Sequence, residues 1–149
     1  FNAPVKEGHQ FDIGVTMSSG YWGRKHIVRC VLKPESQAMI RFEYDGMFMG
    51  KTKLKREKEF YFEMIEKQPI VTLQIWQENQ SHAVKHNLVE IKKLEINDQS
   101  VLDKGTFYPK PSPMTIKRYN SNELQPKYGW KTIDMDGYLE IRTDGVNIL

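Results

Sequence analysis

Apolar and polar residues alternate with a period of two along most of this chain, the signature of strands with one buried and one wet face. In Ile40-Arg41-Phe42-Glu43-Tyr44 the residues Ile40, Phe42 and Tyr44 share one face, while Arg41 and Glu43 take the other. Asp45-Gly46 follows at once, a dipeptide that tolerates the positive φ of a tight hairpin. A return strand then runs from Met47-Phe48-Met49 toward Leu54. Phe60, Phe62 and Met64 align in the next segment, as do Val71, Leu73 and Ile75 in the one after, which leaves Thr72, Gln74 and Trp76 opposite. Phe11 to Val15 alternates near the start, Ile27 to Leu32 reads as a more buried strand, and Tyr138 to Arg142 alternates behind an expected Asp136-Gly137 turn.

The segment Leu88 to Ile96 is ambiguous. Val89 and Ile91 fall on one face and Leu94 and Ile96 on the other, so a strand needs a one-residue slip at Lys92-Lys93, which a β-bulge supplies. A helix would align Val84, Leu88, Ile91 and Glu95, with a polar residue spoiling the stripe. The strand is preferred, followed by an Asn97-Asp98 turn and a short Val101-Leu102 partner. From Gly105 the character changes. Pro109, Pro111 and Pro113 argue against a central strand and for an extended arm. Thr115 to Tyr119 suggests an edge strand, and Asn120 to Lys127 a loop.

These elements predict an all-β protein, an antiparallel β-sandwich or jelly roll with an extended proline-containing C-terminal arm. Residues 1–104 are expected to form the sandwich core. Residues 105–149 are expected to supply the arm and terminal strands packing on the same domain.

Composition changes this picture little. A length of 149 residues suits one domain, and 39% hydrophobic with 28% charged residues is an ordinary globular balance. No apolar run approaches the ~20 residues that cross a bilayer, so the chain reads as soluble, without a membrane role. The chain opens at Phe1, as expected of a trimmed start or of one domain from a longer polypeptide. A net charge of +3 is mild, and it argues against a nucleic-acid partner. The single cysteine, Cys30, leaves no internal disulfide or cysteine-based zinc site and reads as a small buried hydrophobe.

Catalytic and metal motifs fail on inspection. His82 and His86 have zinc-clamp spacing on a helix, but Ala83 stands where the general-base glutamate would be. Asp134-Met135-Asp136-Gly137 opens like a calcium loop, yet its twelfth residue is Gly145 instead of glutamate. Ser18-Ser19-Gly20 lacks the nucleophile elbow, and no phosphate-binding glycine loop exists. Neither a cofactor nor a catalytic residue is expected.

Two features remain. Lys51, Lys53 and Lys55, with Arg56, form the densest positive cluster, suited to shielding an edge strand or to an electrostatic contact. Exposed aromatics are the other: Tyr21-Trp22 between Gly20 and Gly23, and Trp76 on the polar side of its strand beside Gln74. The following loop, Gln77 to His82, includes Asn79 among side chains that bond hydroxyls. Tyr21, Trp22, Trp76, Gln74 and Asn79 are therefore the candidate glycan contacts, since aromatic faces meet sugar C–H faces and amides meet hydroxyls. The same rings also suit a protein interface or the end of the core.

Residues Met39 to Leu102 resemble the jelly-roll domains shared by carbohydrate-binding modules and certain tailed-phage proteins. The stretches Ile40 to Gly46, Val71 to Ile75 and Val89 to Asp98 carry that resemblance. Phe107-Tyr108-Pro109, Tyr128-Gly129-Trp130 and Gly137 to Ile141 also resemble segments of small phage structural proteins. The acidic ligand loop of calcium-dependent xylan-binding modules has no obvious counterpart before the closing strand. The resemblance implies a non-catalytic binding or assembly domain. A virion component, decorating a capsid or associated with a tail, comes first and would be located in the virion. Its partners would be proteins or copies of itself, with residues 106–125 ordering only against a neighbour. A carbohydrate-binding module is the alternative, and an enzyme of unrecognised class is third.

Overall fold

A computed structural model describes residues 25–65, 72–78 and 87–142. Among these residues, two antiparallel sheets stack as a sandwich. The strands are β1 (Lys25–Pro34), β2 (Ala38–Tyr44), β3 (Met47–Leu54), β4 (Lys58–Ile65), β5 (Thr72–Gln77) and β6 (Val89–Ile96). They continue with β7 (Gln99–Ser100), β8 (Thr106–Pro109), β9 (Lys127–Tyr128), β10 (Thr132–Ile133) and β11 (Gly137–Arg142). Sheet I has the order β10-β6-β1-β4, with β7 also on β6, and sheet II the order β3-β2-β5-β11-β8-β9.

The alternating residues meet between the sheets. Val28, Cys30 and Leu32 of β1 and Phe60, Phe62 and Met64 of β4 are buried against Ile40, Phe42, Leu73, Ile75 and Leu139 from sheet II. Phe42 bridges the layers, its ring centroid 5.1 Å from Phe60 and 5.2 Å from Phe62. Loss of so central a ring costs about 3–5 kcal/mol, because the cavity left behind cannot close. Cys30 is free and fully buried, and burial pushes its thiol far above the usual range, so it behaves as a small apolar residue.

Two hairpins close as their sequences require. Asp45 and Gly46 take φ of 48° and 75°, and Asp45 Oδ1 accepts the Thr72 N–H at 3.0 Å, pinning the turn to the start of β5. Asn97 and Asp98 also have positive φ, at 54° and 63°. Asn97 Oδ1 accepts the Ile27 N–H at 2.9 Å, and its amide lies 3.0 Å from Nδ1 of the buried His26. The slip expected in β6 is present. Val31 pairs with Lys93 and Leu32 with Ile91, so Lys92 is the extra residue and points to solvent. That single bulge lets Val89, Ile91, Leu94 and Ile96 all face the core.

The later chain departs from its expected elements. Thr106–Pro109 is a strand flanked by β11 and β9, with Phe107 fully buried, so the proline arm starts only at Pro109. Ile116–Arg118 is a 3₁₀ helix instead of an edge strand, because Ser112 O gathers the N–H groups of Thr115 and Ile116 in a tight turn. Gly137 forms no hairpin turn. It opens β11 at φ 151°, where a Cβ would sit 2.3 Å from the Tyr108 carbonyl oxygen, so only glycine fits. Within residues 106–125 Phe107 and Thr115 are buried and Tyr119 and Leu124 rest on the core, while Met114 and Ile116 are exposed. A reciprocal pair of bonds at 3.0 Å between Asn120 and Glu123 closes the last turn of this segment. The expected Phe11–Val15 strand and Val71 lie outside the described residues.

Candidate functional site

Sheet II turns five strands' worth of outward side chains toward solvent in register. Lys51, Arg41, Trp76, Tyr138 and Tyr108 stand side by side, one each from β3, β2, β5, β11 and β8. The adjoining outward row runs Glu43, Gln74, Glu140, Thr106 and Tyr128. One row is thus cationic and aromatic, and its neighbour is mostly amide, carboxylate and hydroxyl.

The rings are locked by one another. The Arg41 guanidinium lies 4.3 Å from the Trp76 ring centroid. Trp76 and Tyr138 are 4.4 Å apart at 31°, and Tyr138 and Tyr108 are 5.2 Å apart at 29°. Aromatic pairs of this kind each contribute about 0.5–1.5 kcal/mol beyond simple burial. The indole N–H of Trp76 donates to Gln74 Oε1 at 2.9 Å, and Gln74 Nε2 donates to Glu140 Oε2 at 3.1 Å. Arg41 is held in turn by Glu43 at 2.8 Å and Glu78 at 2.5 Å, the Glu43 contact being close without hydrogen-bond alignment at Nε. Burial first, then the Glu140 carboxylate and Tyr108, pushes the Tyr138 phenol up, so it remains a neutral hydroxyl.

Beside Trp76 the end of this face drops into a cleft of about 740 Å³. Lys51, Lys53 and Glu78 line it from the sheet, and Lys110, Asp136 and Tyr119 from the proline segment and its neighbours. Gln77, fully buried, fixes the end of β5 that carries Trp76 and Glu78. Its amide nitrogen reaches the carbonyls of Asn87, Ile133 and Met135 at 2.8, 3.0 and 3.2 Å. Asn87 holds the opposite rim by donating to Gln37 O at 3.0 Å and accepting from Ser36 Oγ at 2.8 Å. The Tyr119 phenol is pushed up by burial and then by the Asp136, Glu123 and Asp134 carboxylates.

The sequence candidates divide accordingly. Gln74 and Trp76 are adjacent and hydrogen-bonded on the outer face. Lys51 and Lys53 are exposed on the edge strand β3 and line the cleft, whereas Lys55 and Arg56 sit in the exposed bend after it. Tyr21, Trp22, Asn79, His82 and His86 lie outside the described residues. Gln77, expected among the hydroxyl-bonding loop residues, is instead spent on backbone carbonyls. At the calcium-like stretch, Asp134 is bound by the Lys127 ammonium at 3.1 and 3.3 Å, which occupies both of its oxygens. Among the described residues no cluster of three metal-ligating side chains forms. Sequence reasoning missed Arg41, Tyr108, Tyr138, Glu78, Lys110 and Tyr119. Alternation alone marked Tyr138 as outward, but only cross-strand register reveals that it meets Trp76.

No family model and no curated protein matches the chain. A solved structure described as a vCBM60 in complex with galactobiose shares the fold. It has a TM-score of 0.54 at 8% identity, covering 77% of this chain and 96% of that one. The jelly-roll sandwich expected from the sequence is the observed fold, and its likeness to a carbohydrate-binding module holds at that level. The virion resemblance gains no support from these comparisons.

Proposed function

We propose that this domain is a non-catalytic carbohydrate-binding module whose glycan rests on the outer face of sheet II and in the cleft at its end. The observation that carries the reading is the locked row Arg41, Trp76, Tyr138 and Tyr108 beside a row of amide and carboxylate groups. Three rings at strand spacing make an apolar strip for sugar C–H groups. Gln74, Glu140 and the Tyr hydroxyls supply donors and acceptors for the sugar's hydroxyl girdle. Because the rings are already fixed by stacking and by the Trp76–Gln74 bond, little rotamer entropy is lost when a ligand lands on them. The galactobiose complex of the fold neighbour supports the ligand class.

A reaction has less to stand on. His26, the one histidine among the described residues, is buried against Asn97, away from the outer face of sheet II. The virion assembly reading has no comparison behind it, and part of the arm expected to reach across neighbours, Thr115, Tyr119 and Leu124, rests on this domain instead.

Affinity electrophoresis through gels containing galactan, xylan or other polysaccharides tests the proposal. Retardation of the wild type by at least one glycan, lost in Trp76→Ala with little change in melting temperature, is the expected result. A Trp76→Ala protein retarded as strongly as the wild type would remove this face from the function.

A further inference from the structure

The cleft beside Trp76 gathers more cationic than anionic side chains. Lys51 and Lys53 enter it from β3, and Lys110 enters from the segment that follows β8. None of the three makes an ion pair among the described residues. Two carboxylates also line the cleft: Glu78, which shares the Arg41 guanidinium with Glu43, and Asp136. Edge protection explains lysines on β3, but it does not explain Lys110, which stands across the cleft from that edge. A cationic rim around an aromatic wall and several hydroxyls is the chemistry that recognises a sugar bearing an anion. Ammonium groups meet the charge, and the ring and hydroxyls meet the pyranose.

We infer that the cleft takes an acidic saccharide, one carrying uronate carboxylates or sulfate esters. This rests on the glycan-binding reading above and narrows its ligand class. The anion sits between Lys51, Lys53 and Lys110, with its sugar ring against the edge of Trp76.

The test is titration calorimetry on the full 149-residue chain. Three probes are used: an oligogalacturonate, its neutral methyl ester and a sulfated galactan oligosaccharide. Binding of either acidic probe should exceed that of the neutral ester by about tenfold and weaken as salt rises from about 0.1 M to 1 M, which cuts the screening length from ~10 Å to ~3 Å. The tighter acidic probe identifies the anion. Lys51→Gln/Lys53→Gln and Lys110→Gln should each lose roughly five- to tenfold for the acid alone. Lys51→Arg/Lys53→Arg should keep affinity, and Lys33→Gln on sheet I should change nothing. Thermal melts of every variant separate misfolding from lost charge. Equal binding of acid and ester with no salt dependence overturns the acidic assignment and leaves the glycan reading standing. Failure of every glycan, acidic and neutral, in both calorimetry and affinity gels overturns both.

Discussion

The two sheets contribute similar inner faces to one core, yet their outer faces are built on different rules. On sheet I several outward charges meet an opposite charge. Lys25 approaches Glu63 at 3.9 Å, Lys93 approaches Glu95 at 3.8 Å, and Arg29 lies between Tyr61 and Glu95 on the neighbouring strands. Lys92, the bulged residue, reaches Glu57 at 3.1 Å. A single ring, Tyr61, lies under the Arg29 guanidinium at 5.2 Å. Such a checkerboard keeps a sheet soluble and discourages association, while each exposed pair adds little stability. Sheet II instead lines up three rings, and the cleft at its end gathers Lys51, Lys53 and Lys110, none of which makes an ion pair among the described residues. The contrast makes the outer face of sheet II the candidate site, since folding alone needs only the first pattern.

Substitutions can break or sharpen this contrast, and the largest effect is expected at Gly137. Gly137→Ala forces a Cβ into the Tyr108 carbonyl, and the loss should be about 3 kcal/mol or more. Urea unfolding reads it directly, and wild-type stability in this variant would mean that β8 and β11 do not approach as described. Next comes Trp76→Ala, which should weaken glycan binding on the order of thirtyfold, about 2 kcal/mol, as removal of an anchoring ring does. Tyr61→Ala on the opposite sheet is its control. Equal losses of affinity from the two would erase the functional distinction between the faces.

A smaller effect is expected at Gln74. Gln74→Ala frees the Trp76 indole N–H and the Glu140 carboxylate, and about 1 kcal/mol of affinity, roughly fivefold, should go with that restraint. Calorimetry showing undiminished affinity would mean the ring needs no such support. The smallest change belongs to sheet I. Lys93→Ala should cost at most about 0.5 kcal/mol, fading at high salt, because both partners of the pair remain partly solvated. A larger, salt-independent loss in chemical denaturation would show that the checkerboard carries more stability than surface pairs usually do.

Legibility from sequence followed the range of the interaction. The β2–β3 hairpin was legible because Asp45-Gly46 and the flanking alternation are local signals. The β6 bulge was legible because a slip in apolar phase at Lys92-Lys93 has one cheap structural solution. The 3₁₀ helix at Ile116–Arg118 was not, since Thr115 to Tyr119 mixes apolar and polar residues at a spacing that fits either state. Its form was decided by the turn at Ser112 and by burial of Thr115. The prolines were read as an extended arm from Gly105, whereas Thr106–Pro109 pairs as β8 between β11 and β9, with Pro109 at its last position. The tight requirement at Gly137 was invisible for a similar reason: its neighbour in space, Tyr108, lies far away along the chain.

Local patterning was enough to establish a β-sandwich, where most of its strands run and which side of them faces the core. A period-two pattern fixes those properties strand by strand. It also singled out Trp76, Gln74, Lys51 and Lys53 as chemically able side chains. Long-range strand pairing alone makes β2, β5, β11 and β8 neighbours in that order, and so sets Arg41, Trp76, Tyr138 and Tyr108 in one row. The same pairing brought Lys110 across from Lys51 and Lys53 to form a cleft. Strand order depends on long-range pairing between segments with similar local patterns. The alternation that specifies each strand so well says nothing about its partner.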